Sequence, residues 1–166
     1  MKLQKLITNV QQWSIDRGLD KADSKKQMLK LYEEFGELAS GLAKGNKEVV
    51  SDSIGEVVVV LIILAQQKNV RLIGDFELSR NGLSKESVVL KASEYIGDIS
   101  FVVRQFGDIE GNIVYLIAYL RLIAKDEGLK FEDCLSQAWN KIKDRKGKLI
   151  DGVWVKEEDL PDEVIH

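Results

Sequence analysis

Glu33, Glu34 and Glu37 stand within one helical turn of the segment KLYEEFGELASGL, and Asp52 and Glu56 follow in SDSIGEVVVVL. Residues three and four apart share a helix face. The segment's apolar stripe centres near Leu31, Phe35 and Leu42. On a wheel of about 100° per residue, Glu34 borders that stripe, Glu37 lies one step beyond, and Glu33 points nearly opposite. Glu34 and Glu37 can therefore reach the rim of a bundle interior, with Glu33 solvated or in a supporting place. Asp52 and Glu56 share a face at the entrance to an apolar run. Two antiparallel helices joined at Gly45-Asn46 would bring these four carboxylates together. Such a cluster repels itself unless oxygen ligation of a hard divalent cation resolves the repulsion. An all-carboxylate set favours Mg2+ or Mn2+ over zinc, and magnesium shares its remaining positions with water and substrate phosphates. The same acids also suit a solvated helix face, with Lys30 pairing with Glu33 or Glu34.

A basic counterpart lies near the other end. Lys141, Lys143, Arg145, Lys146 and Lys148 surround a single Asp144, the most basic stretch of the chain. Beside a metal such a stretch would hold phosphate groups; without one it reads as a cationic helix end favoured by the helix dipole. Trp13, Trp139 and Trp154 could each stack a nucleobase or serve as core aromatics. Cys134 reads as a small buried hydrophobe.

The rarest residues exclude the most. One cysteine forbids an internal disulfide framework or a multi-cysteine zinc site. The single histidine, His166, makes a placed imidazole unavailable to triads, zinc sites or phosphotransfer. A di-iron bundle, which needs Glu-x-x-His pairs, is excluded on the same ground. At 166 residues, 45% hydrophobic and net charge −3, the chain suits one domain, or two small similar halves, with enough apolar content to bury a core. A pI near 5.3 argues against binding a nucleic-acid polymer by bulk charge. The amino terminus carries no signal-like apolar core. The longest apolar run, Val57–Ala65, has nine residues, about half of what a bilayer crossing requires. A soluble, cytoplasmic protein without a membrane partner is expected.

These groups need helices to hold them. Periodicity predicts helices over 1–17, 24–44, 46–68, 85–105, 111–127 and 130–146. Ser24 with Gln27 matches a capping box, Asn46 can cap the third helix, and Gly128 and Gly147 are placed as stops. The stretch 57–64 is rich in β-branched residues, yet few hairpin signals surround it, and it reads as a buried central helix. Residues 74–84 read as a connection with an Asn81-Gly82 turn. Residues 149–155 carry an Asp-Gly hairpin that must lean on the helices or on a partner. Gly36, Gly55 and Gly97 inside helices suggest close helix approaches. The only proline, Pro161, breaks nothing upstream. Residues 29–39 align with 90–100 at an offset of 61, and 61–65 with 120–124 at an offset of 59. This is either the general likeness of amphipathic helices or a duplication whose second half lost acids, Tyr95 standing at the place of Glu34.

The run KLYEEFGELASGLAKGN followed by DSIGEVVVVLIILA resembles the signature of MazG-like nucleoside triphosphate pyrophosphohydrolases, the all-α NTP pyrophosphatase superfamily, in its phage-type form. That pattern is EExxE on one helix and ExxD on the next. Glu33, Glu34 and Glu37 fit the first element; in the second, Ser53 stands at the usual glutamate and Glu56 at the usual aspartate, with Asp52 adjacent. The likeness covers 24–68 and, more loosely, 138–159, where Asn140, Lys143 and Arg145 match substrate-contacting residues in type. The resemblance implies an all-α bundle in a single domain over 1–166, with a catalytic half near 1–72, a second half near 84–147 and a hairpin and tail at 148–166. It implies Mg2+ or Mn2+ on Glu34, Glu37, Asp52 and Glu56, with Glu33 or a ligand carboxylate taking a proton from water. It further implies hydrolysis of a nucleoside triphosphate to monophosphate and pyrophosphate, and a homodimer or higher homo-oligomer. A non-catalytic regulatory or assembly protein that kept the scaffold is the alternative.

Overall fold

The computed structural model describes residues 2–160, so His166 and Pro161 lie outside the described residues. The chain is an all-α bundle with a small antiparallel hairpin at its end. The helices are α1 (Leu3–Asp16), α2 (Ser24–Lys44), α3 (Lys47–Gln67), α4 (Lys85–Arg104), α5 (Glu110–Asp126) and α6 (Phe131–Ile142). The strands are β1 (Gly147–Ile150) and β2 (Val153–Lys156), paired from Gly147 opposite Lys156 to Ile150 opposite Val153.

The β-branched stretch 57–64 is helical because it is the axis of the bundle. From Val57 to Ala65 every residue of α3 is buried, and α1, α2, α5 and α6 all pack on this helix. A helix apolar on all sides is stable only in such a place. Gly45, in the left-handed conformation at φ 64°, ends α2, and the Asn46 side chain accepts the Val49 N–H at 3.2 Å to start α3. The reversal is tight, and it sets the EExxE turn of α2 alongside Glu56.

Several local expectations are corrected. Asp23 rather than Ser24 caps α2; its carboxylate accepts the Lys25 N–H at 2.8 Å from an extended backbone. Helix α6 ends at Ile142, four residues early, because Lys143, Asp144, Arg145 and Lys146 offer no apolar group to bury. Gly147 is therefore no helix stop. It opens β1, where a Cβ would stand 3.0 Å from the Trp154 ring. Gly55 does mark a close approach, since a Cβ there would lie 2.9 Å from Ala138 Cβ and nearer still to the Cys134 carbonyl. Gly36 and Gly97 mark none, having open space around them. The close glycine on α2 is Gly41, against Val49 and Val50.

The hairpin turns through Asp151 and Gly152, both at positive φ (48° and 78°), as a type I′ turn demands. It leans on α1: the Trp154 and Trp13 rings meet edge to face at 6.2 Å. The pairing of α4 with α5 parallels that of α2 with α3. Where Glu34 and Glu56 bring carboxylates together in the first half, the positions 61 and 59 residues later hold Tyr95 and Tyr115, stacked at 5.4 Å. No helix of the described residues is long and apolar enough to cross a membrane.

Candidate functional site

Because α2 and α3 pack closely, the face carrying Lys26, Lys30, Glu34 and Glu37 looks along the face carrying Glu56, Val59, Val60 and Ile63. The groove between them is flanked by the end of α6, the hairpin and Trp13, which together bound a cavity of about 370 Å³ open to solvent. Glu33, Glu34, Glu37 and Glu56 line it on the carboxylate side. Lys26, Lys30, Arg145 and Lys156 bring cationic groups to the same space, and Trp13, Leu19 and Trp154 wall it. From Lys26 to Glu37 the groove follows α2 for about 16 Å, at about 1.5 Å of rise per residue.

Glu34, Glu37 and Glu56 each present a carboxylate oxygen, and the three oxygens lie within 4.8 Å of one another. That donor set fits an oxygen-seeking divalent ion. Glu34 is 5% exposed, so its charge needs a partner; Lys30 Nζ lies 2.7 Å from it and 2.8 Å from Glu33. Burial works against the Lys30 ammonium, but its bonds to Glu33 and Glu34 prevail and raise its pKa. Burial, a shared hydrogen bond and repulsion from Glu34, with Asp52 beyond, push Glu56 up from 4.5 to about 7; Lys141 opposes the shift.

This gives a test on the ion-free protein. A carboxyl whose pKa is higher in the fold than in the open chain favours folding while protonated. Stability from Glu56 is thus full below pH ~4.5 and lost as pH rises through about 7. Glu56→Gln mimics the protonated form. Melting temperatures in chelator should match wild type near pH 4.5, with the variant increasingly the more stable up to pH 7.5. A gap independent of pH would contradict the assignment.

The remaining site residues are distributed unevenly. Asp52 is engaged by Lys141 in an ion pair and stands outside the cavity lining. Ser53 is 1% exposed within the core. Asn140 lies on a separate shallow surface with Asp133, Gln137 and Lys141, and Lys143 is exposed at the end of α6. Of the three expected substrate contacts, Arg145 alone reaches the cavity. Its backbone is fixed by Arg17, whose guanidinium donates to the Arg145 carbonyl at 2.9 Å and lies over Trp13 (4.6 Å) and Trp154 (5.3 Å). Trp139 packs on the core. Cys134 is buried against Ser51, and burial raises its pKa.

Lys26, Lys156 and the cavity-facing role of Lys30 were not read from the sequence. The signal for the lysines of α2 was available: Lys26, Lys30, Glu33 and Glu37 recur at intervals of three and four. Lys156 had none, because only the strand register brings it back toward α2.

No family model and no solved structure matches the chain. It is 35% identical over 161 residues to the "Uncharacterized 18.2 kDa protein in rep-hol intergenic region" of Haemophilus phage HP1 (strain HP1c1), across 82% of this chain and 97% of that protein. At that identity and coverage, the chain belongs to the family of this phage protein.

Proposed function

We propose that the chain is a MazG-like nucleoside triphosphate pyrophosphohydrolase that cleans the nucleotide pool. The observation that carries this reading is one cavity holding a three-glutamate cluster, four basic side chains and two tryptophans. A nucleotide asks for that combination: negative charge at one part, a stacking face at another. Glu34, Glu37 and Glu56 are the residues that would hold Mg2+ or Mn2+. When bound, such an ion neutralises phosphate charge and lowers the pKa of an attacking water.

The chain's own groups account for the rest. Water adds at phosphorus, the α–β anhydride bond breaks, and pyrophosphate leaves with the electron pair. Glu33, exposed at the cavity rim, or a neighbouring carboxylate takes the water's proton. Arg145 and Lys156 balance the leaving phosphates, Arg145 being held in place by Arg17. Trp13 and Trp154 offer apolar surface to a base.

The test is a panel of NTPs and dNTPs with Mg2+, scored for monophosphate and pyrophosphate in equal amounts. Release of orthophosphate, or no product from any member, refutes the reading; the latter result is what a regulatory scaffold gives. A nucleotide-pool enzyme would act in the cytoplasm. Leu29, Tyr32, Leu90 and Phe101, exposed on α2 and α4, are the apolar surface that a homodimer or larger homo-oligomer would cover.

A further inference from the structure

The carboxylates of the cavity already have a cation. Lys30 pairs at once with exposed Glu33 and with buried Glu34, and Lys30 itself lines the cavity. The pair is unequal: the Lys30 side chain is 48% exposed and that of Glu34 only 7%. If the two separate, the lysine can move, because its ammonium sits on a flexible four-carbon stem, while the glutamate stays in the wall.

The second half of the molecule supplies a control. Lys91 stands 61 residues after Lys30 and pairs with Glu94 at 2.5 Å, as Lys30 does with Glu33. At the place of Glu34, however, the chain has Tyr95, stacked on Tyr115. The contact one turn on is thus an ordinary surface ion pair, available wherever lysine and glutamate are three apart. The contact with the buried carboxylate belongs to the cavity.

We propose that Lys30 is the resident counter-cation of the site, exchanged for the divalent ion and then passed to the substrate. In the ion-free protein its ammonium bridges Glu34 and Glu33 and offsets one of their two negative charges. With a divalent ion held on Glu34, the ammonium would be free to turn, from the same wall, to a phosphate oxygen, which would accept its hydrogen bond. This inference rests on the functional reading above and assigns that reading one more substrate-binding residue.

The consequence has an unusual sign. Removing a substrate-binding lysine should strengthen the ion site while weakening the substrate site. The experiment titrates MgCl2 by calorimetry into wild type, Lys30→Met and Lys91→Met without nucleotide. A non-hydrolysable α,β-methylene triphosphate is then titrated at saturating MgCl2. Lys30→Met should bind Mg2+ about tenfold tighter and the analogue about tenfold weaker, the scale of one charge-assisted contact. Lys91→Met should match wild type in both. Lys30→Gln, with a polar tip, should repeat the signs, and circular dichroism checks that each variant is folded. Mg2+ affinity unchanged or weakened in both Lys30 variants overturns the exchange and leaves the functional reading standing. Wild type that binds neither Mg2+ nor the analogue overturns both.

Discussion

Glu37→Gln is expected to lower hydrolysis of every accepted triphosphate by about three orders of magnitude, since an ion ligand contributes to several kcal/mol of charge stabilisation at about 1.4 kcal/mol per decade. Glu37 is the residue of choice because it is exposed. Its partners Glu34 and Glu56 are more buried, so changing them disturbs packing and chemistry together. A solvent-facing Glu→Gln on a helix alters stability by about 0.5 kcal/mol or less, so the melting temperature should hold within about 2 °C. Steady-state kinetics beside thermal melts therefore separates a chemical role from a structural one. Asn140→Ala and Lys143→Ala form the counterpart, both residues standing away from the cavity, and they should leave turnover near wild type. Undiminished activity in Glu37→Gln would remove the three-glutamate cluster from the chemistry. A large loss in Asn140→Ala would relocate the substrate to the α6 surface.

The difference between those two sets shows where sequence was informative. Glu34, Glu37 and Glu56 were legible because helical spacing fixes their direction relative to an apolar stripe, and a two-residue reversal at Gly45-Asn46 leaves one way to fold α3 back on α2. Arg145 and its neighbours were legible only as a charged stretch. Which member of the stretch reaches the cavity depends on where α6 stops and on the backbone bond from Arg17, a contact 128 residues away in the chain. Lys156 depends on strand register, and Trp154 on its encounter with Trp13. Asp52 looked like a ligand because it sits four before Glu56; the ion pair with Lys141 was invisible without knowing that α6 crosses α3 there. Contacts within an element or across a tight turn can be read from spacing. Contacts between distant elements depend on packing, which spacing does not encode.

That packing hinges on one atom that is absent. Gly55→Ala adds a single methyl group to α3, and by helix propensity alone it should stabilise the protein by about 1 kcal/mol. The opposite is expected. The new Cβ would meet Ala138 Cβ at 2.9 Å and come closer still to the Cys134 carbonyl. The obstacle is mainly backbone, which cannot rotate aside as a side chain can, so α6 must move off α3. Overpacking of this kind costs about 3 kcal/mol, or about 6–12 °C in melting temperature for a chain of this size. Gly36→Ala provides the matched comparison, with the same chemical change in mid-helix and open space around the site; it should raise the melting temperature by about 2–4 °C. Thermal melts of the two variants should therefore move in opposite directions, and equal shifts would mean that α3 and α6 are not in contact at Gly55. Turnover should fall in Gly55→Ala as well, even where the variant stays folded. Helix α6 leads into Arg145 and the hairpin, and displacing it draws both away from the three carboxylates, one of which, Glu56, is the residue next to Gly55.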